Sequence, residues 1–318
     1  MGIPWNVRMS QVMSMETIGI LCERVRVEEK QILAVLLNAG LPTVPVPPVD
    51  LPVAIGACPE GHAIESLAGQ YSLLIDRCPE RSASNHLVSL LADSGTAVLG
   101  AGVASTGNRL DVARKLAGAG IARPRTVFAG SEKAGLAALS SFGYPSTLMP
   151  LAYSKRPLPI FDEDIAEAVL EHRNTLGSAS ARSLVIQEGS PSITEVIEVM
   201  VVDGAAVAAS TAGKPALRSD DVLKLAEHVA AVLDARIIGI QIAQTASGLV
   251  VWDVNPVPEF RGFNLTSSLP VADAIGALVA NQLHHHQHSM SSAGNRDTSA
   301  LGLSTALKES ARGVVITS

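Results

Sequence analysis

The sequence predicts an α/β N-terminal unit followed by an α+β unit, on three observations. Short apolar runs alternate with stretches of helical spacing from Thr17 to Gly100. The later half carries two antiparallel hairpin signals, at Asp203-Gly204 and near Ala246-Ser247-Gly248. A length of 318 residues, 47% of them apolar, is enough for two or three packed units.

The elements follow in order. "TIGILC" is a buried strand, "VEEKQILAVLLNAG" a helix stopped at Gly40, and "TVPVPPVDLP" an extended, Pro-studded stretch. "YSLLIDRCPERSASNHLVSLLADSG" gives a strand, a polar turn and a helix, and "TAVLG" another strand. Such alternation means parallel strands with helical crossovers, and open sheets of this kind gather ligands beyond the carboxyl ends of their strands. Arg77 to Asn85 stands at such an end and reads either as a small-molecule edge or as an ordinary polar loop.

A second unit begins near Gly100. "STGNRLDVARKLAGAGI" predicts a helix capped by Ser or Thr. "RTVFAG", "YPSTLMP" and "SLVIQEG" are strands; "SEKAGLAALSSFG" and "DEDIAEAVLEHRNTLG" are helices. The hairpin "TEVIEVMVVDGAAVAAS" follows, then the helix "DDVLKLAEHVAAVLDA" and the hairpin "RIIGIQIAQTASGLVVWDVN".

Composition bounds the function. A net charge of -6 and 3% aromatic residues supply neither a basic field nor stacking platforms for nucleic acid. Arg123-Pro124-Arg125 and Lys155-Arg156 read as solvated surface. The apolar runs fall far short of the ~20 residues that span a membrane. Cys22, Cys58 and Cys78, odd in number and without CxxC spacing, argue against a disulfide framework or structural zinc and fit a reducing cytoplasm. Residues 1–15 read as a disordered leader, with Met15 an alternative start, and the His/Ser-rich stretch from His284 as a flexible tail.

The last hairpin holds the candidate chemistry. Alternation puts Asp253 and Asn255 on one face, and counting back through the turn sets Gln241 opposite Asp253. Oxygen donors suit Mg²⁺, which takes one or two carboxylates together with water and phosphates. One carboxylate and two amides make a weak cage.

Several stretches in one order, "CERVRVEEK", "DRCPERSASN", "STGNRLDVARKLAGAGIARPRT", "FGYPSTLMP", "AVLEHRNTLG", "LVIQEG" and "GLVVWDVNPVPEFRGF", resemble the ATP-grasp ligases of the RimK/LysX type. The resemblance is greatest to LysX of the amino-group-carrier lysine pathway, and it runs from Thr17 to Gln282. It implies an N-terminal α/β domain (residues 16–100) and an α+β ATP-grasp fold of two subdomains (101–186 and 187–283), before the tail at 284–318. It also implies a ligase that uses ATP and Mg²⁺ to activate a carboxylate as an acyl phosphate and pass it to an amine.

Carried over by position, the nucleotide contacts fall on Arg109, Gln187 and Glu188, with Lys155 and Lys214 as candidate substitutes. The metal set falls on Gln241, Asp253 and Asn255. Substrate contacts fall on Arg77, Asn85, Glu259 and Arg261. Departures gather at the phosphates and metal. Met149 stands where the family has a lysine, "LAYSKRPLP" where it has a Gly-rich loop, and Gln241 where it has a carboxylate. Glu195 and Glu198 stand near the place of an arginine, and only Lys214 and Arg218 follow the first hairpin. Two expectations therefore stay open: a ligase of weakened or lost activity, or a non-catalytic relative that serves an acidic amino-group carrier protein or an active ligase paralogue. A homo-oligomer is expected by resemblance.

Overall fold

The computed structural model describes residues 17–51, 70–79, 81–93, 96–102, 106–177, 182–191, 196–212, 214–215, 219–246, 248–261, 263 and 270–285. The expectations for the leader, Cys58, Glu195, Arg218 and the tail from His286 lie outside these residues.

Continuous apolar runs build the first sheet, because strands covered on both faces have no polar side to show. β1 (Ile18–Leu21) and β3 (Leu73–Asp76) are buried throughout and pair in parallel. β2 (Thr43–Val46) and β4 (Ala97–Leu99) flank them in the order β2-β1-β3-β4. The crossover helices are α1 (Val27–Asn38) and α2 (Arg81–Asp93). α1 opens on a capping box in which Glu29 reaches back to the backbone N–H of Arg26 at 3.0 Å.

α3 (Arg109–Gly118) leads into a second, antiparallel sheet. Its cap is Asn108, whose side chain accepts from the Asp111 N–H at 3.0 Å, and not the expected Ser or Thr. The nearby Thr106 hydroxyl donates to the Gly102 carbonyl at 3.0 Å instead. β5 (Thr126–Ala129), β6 (Ser146–Pro150), β7 (Leu158–Ile160) and β8 (Leu184–Glu188) lie in the order β5-β8-β6-β7. α4 (Glu132–Phe142) and α5 (Glu163–Leu176) pack Leu139 and Leu170 against Leu148 and Ile186. β7 lies where the sequence reads as loop; its Pro159 is tolerated because the strand is at the sheet edge. The expected boundary at 186/187 falls inside β8.

The third sheet is antiparallel: β9 (Val196–Val202), β10 (Ala205–Thr211), β11 (Lys214–Pro215), β12 (Ile237–Thr245) and β13 (Gly248–Asn255), in the order β11-β10-β9-β12-β13. Asp203 and Gly204, at φ 53° and 77°, supply the two positive-φ positions that a tight hairpin needs. α6 (Asp220–Val232) and α3 cover one face, burying Val229 and Leu116 with Val201, Ile238 and Ile240. The other face carries the candidate site.

Residues 271–276 are helical, an element the sequence reading did not assign. The chain divides into a unit at 1–276 and a second at 277–318, of which 277–285 are described and helical. His284 and His285 therefore continue a helix, contrary to the expected flexible start of the tail; no Gly or Pro lies between Ala277 and them to end it. No helix among the described residues is long and apolar enough to cross a membrane.

Candidate functional site

The ladder around β12 sets the site. Gln241 pairs with Glu198 on one side and Asp253 on the other; Gly239 pairs with Met200 and Asn255. Side chains two apart share a face, so Glu198, Gln241, Asp253 and Asn255 share the one opposite Val199, Ile238 and Ile240. A bulge between Gln241 and Ile242 shifts the register at Trp252.

Asp253 is already partnered. Its carboxylate accepts from Arg109 Nε at 3.0 Å and 3.3 Å, and the two side chains are 9% and 7% exposed. Arg109 Nη1 also donates to the carbonyls of Pro150, Ala152 and Lys155 at 2.9, 2.8 and 3.3 Å, and the guanidinium lies 4.6 Å from the Tyr153 ring centroid. Burial pushes the Asp253 carboxyl up, and Arg109 pulls it back. The cation expected at the phosphates and the carboxylate expected at the metal thus satisfy each other.

The remaining oxygens do not complete a metal cage. Asn255 Oδ1 accepts from the Val257 N–H at 3.2 Å, and Gln241 is a half-buried neutral amide. Burial raises Glu198 to a pKa of about 7, with an Asn255 hydrogen bond opposing. No grouping of three or more His, Cys, Asp or Glu among the described residues could hold a metal ion. Of the three residues Gln241, Asp253 and Asn255, the one carboxylate is bonded to Arg109 and the other two are neutral amides.

The phosphate side fares no better. Met149 is buried at 2% exposure, while Lys155 and Arg156 are exposed. Lys214 lies in β11 opposite Thr211, with its side chain outside the described residues. A space of about 10 Å³ between Arg109, Met149, Gln187 and Asp253 holds one water at most.

Gln187 is buried and donates through Nε2 to the Trp252 carbonyl at 3.0 Å. Glu188 is exposed and makes a two-pronged pair with Arg125 at 2.7 and 2.6 Å, which holds its carboxyl below the usual range. The solvated reading of Arg123-Pro124-Arg125 holds for Arg125 and fails for Arg123, which is half-buried. Beside these residues a cleft of about 540 Å³ opens.

Of the substrate candidates, Arg77 joins two parts of the chain. It is 1% exposed, donates to Glu29 at 3.0 Å and to the Pro258 carbonyl at 2.9 Å, and lies 5.6 Å from the Phe260 ring centroid. Glu29 also holds Arg26 through bonds of 3.0 and 2.8 Å. Asn85, half-buried on α2, lies against Gly107, where an added Cβ would stand 2.6 Å from its Nδ2. Glu259 and Arg261 are exposed and 3.6 Å apart. Sequence reasoning missed the buried partner Glu29 and the linker residue Arg123; the capping box around Glu29 was its only local signal.

No family model matches the chain. Its fold is similar to that of a RimK domain ATP-grasp protein from Sphaerobacter thermophilus: 26% identity, TM-score 0.70, covering 83% of this chain and 99% of that one. It is also similar to D-alanine–D-alanine ligase from Bacillus anthracis, solved with ATP: 15% identity, TM-score 0.64, covering 86% and 99%. Three sheets in this arrangement and these likenesses give the chain an ATP-grasp fold. In sequence it is 24% identical over 234 residues to the glutamate–LysW ligase ArgX of Sulfolobus acidocaldarius, covering 67% of this chain and 83% of that protein. Among ATP-grasp proteins its likeness is to the RimK/LysX type of ligase.

Proposed function

We propose that this chain is a RimK/LysX-like ATP-grasp protein that has given up ligation and serves as a binding or regulatory subunit for an amino-group carrier protein or an active ligase paralogue. The buried pair of Arg109 and Asp253 carries the reading. Phosphoryl transfer leaves a protein mainly positioning and electrostatic work. To grip a phosphate, Arg109 would have to leave Asp253 and three backbone carbonyls; to hold a metal, Asp253 would have to lose its only hydrogen-bonded cation among the described residues. Met149 offers no charge in exchange, and Glu198 adds a carboxyl on the sheet face that holds Asp253, near the place where the resemblance implies an arginine. Losing one such contact costs on the order of a hundredfold in rate, and losses within one site do not simply multiply.

The carrier partner is supported by the relative, a glutamate–LysW ligase. The buried cysteines Cys22 and Cys78, neither in a disulfide, suit the cytoplasm. Thermal unfolding with and without millimolar ATP and Mg²⁺ tests the reading. A ligand at about 100 times its Kd stabilises by about 2.7 kcal/mol, so an intact site would raise the midpoint visibly. No magnesium-dependent rise is expected, nor ADP release with amino acids and a carrier protein. Turnover of about 1 s⁻¹ would overturn the reading.

A further inference from the structure

A strand at a sheet edge offers a row of unpaired N–H and C=O groups to any other chain, and folded proteins blunt such edges. The other sheet edges among the described residues are blunted. β2, β7 and β11 carry Pro45, Pro159 and Pro215. β4 is three residues long, and the outer side of β13 meets the linker, where the Val251 N–H donates to the Ala122 carbonyl at 2.9 Å. β5 differs. It lies at the edge of its sheet and holds neither a proline nor a charged residue. Thr126, Val127 and Phe128 line neither the space at Arg109 and Asp253 nor the cleft beside Glu188.

The ladder to β8 fixes what this edge presents. The Glu188 N–H donates to the Arg125 carbonyl at 3.0 Å, so residues 125, 127 and 129 turn their backbone groups toward β8. Thr126 and Phe128 turn theirs outward, and among the described residues no backbone hydrogen bond reaches them. Val127 and Phe128 are 37% and 49% exposed, one on each face, since adjacent side chains alternate. The nearest charges, Arg125 and Glu188, pair with each other, so the edge can meet its own copy without like charges in opposition.

We propose that β5 pairs antiparallel with β5 of a second copy of this chain, about a two-fold axis at Val127. Thr126 of each copy then exchanges hydrogen bonds with Phe128 of the other, through the groups that face outward. Val127 stands opposite its own copy in a close, non-hydrogen-bonded pair, where β-branched side chains pack well. α4 packs on β5 and β8, so the same axis lays two copies of α4 side by side. Its exposed Ala134, Ala137 and Ser141 are small enough for two helices to come close. The inference stands on this edge alone, whether or not ligation is lost.

Sedimentation equilibrium of the full chain tests it. A reversible monomer–dimer equilibrium is expected, with a Kd on the order of 10–100 μM, because the strands are short and the interface small. Val127→Lys and Val127→Glu each set like charges face to face on the axis and should weaken the dimer about tenfold or more. Mixing the two variants should restore it, since unlike charges then meet. Thermal midpoints identify the variants that fold. Where neither charge is tolerated, Thr126→Pro removes an outward donor, leaves the ladder to β8 intact and should weaken the dimer likewise. A chain still monomeric at about 1 mM overturns the inference. So does a dimer indifferent to these substitutions, or a folded pair of charge variants that stay apart on mixing.

Discussion

Replacing Arg109 by Met keeps the length of the side chain and removes its charge and donors. Asp253, 9% exposed, then loses its guanidinium, and breaking a buried pair from one side costs about 3–5 kcal/mol. The carbonyls of Pro150, Ala152 and Lys155 lose a shared donor at about 1 kcal/mol per bond, partly recovered where water reaches them. The expected loss is about 4 kcal/mol. Asp253→Asn should cost less, about 1–2 kcal/mol, because an amide oxygen still accepts from Arg109 and the three carbonyls still hold the guanidinium. The double variant should lose less than the sum of the two, by about 1.5 kcal/mol or more. Urea unfolding gives all four stabilities, provided the slopes agree. Additivity within about 0.5 kcal/mol, or a cost below about 1 kcal/mol for Arg109→Met, would refute a structural brace. A working ligand site behaves in the opposite way, since groups poised for a ligand are often neutral or costly to stability.

Three further outcomes follow from the same geometry. Glu198 has its pKa raised from 4.5 to about 7, so its contribution is intact below pH 4.5 and lost as pH rises through 7. Glu198→Gln should remove a decline on the order of 3 kcal/mol from the stability profile across that window; a slope unchanged from the parent refutes the assignment. Met149→Lys with Gln241→Asp restores a cation and a carboxylate in type, but the lysine enters a site 2% exposed and Asp253 stays clasped. That double variant should lose about 2 kcal/mol or more and gain no magnesium-dependent thermal shift with ATP, and a clear shift would show the site recoverable. Gly102 has φ +75°, and an added Cβ would stand 2.5 and 2.7 Å from the carbonyl oxygens of Leu233 and Asp234, so Gly102→Ala should cost about 2 kcal/mol or more in chemical denaturation. A midpoint equal to the parent's would show that the backbone there yields.

Local patterns carried much of the architecture. The Asp203-Gly204 turn and the pairing of Gln241 with Asp253 were legible because strand alternation has a fixed period and a short turn fixes the register. β7 was not, since Pro159 reads as a breaker unless the strand is known to be at an edge. The helix from Val271 carries apolar residues at Val271, Ile275, Leu278 and Val279, a spacing that could have been read. What Arg109 does was beyond local patterns. Its carboxylate partner is 144 residues away, and its other acceptors are backbone carbonyls, which no side-chain pattern encodes. The half-burial of Arg123 beside an exposed Arg125 likewise depends on which wall of a cleft each one meets.

Arg109 ties the exit of β6 to β13, two sheets that a ligase has to part and rejoin in every cycle to admit substrate and release product. If ligation is lost as proposed, that tie stays made inside the chain and the hinge has no cycle to serve. A partner meets a surface already in its final shape, and little of the contact energy goes into ordering it. On the proposed reading the fold exchanges turnover for rigidity, which suits a part that waits to be recognised.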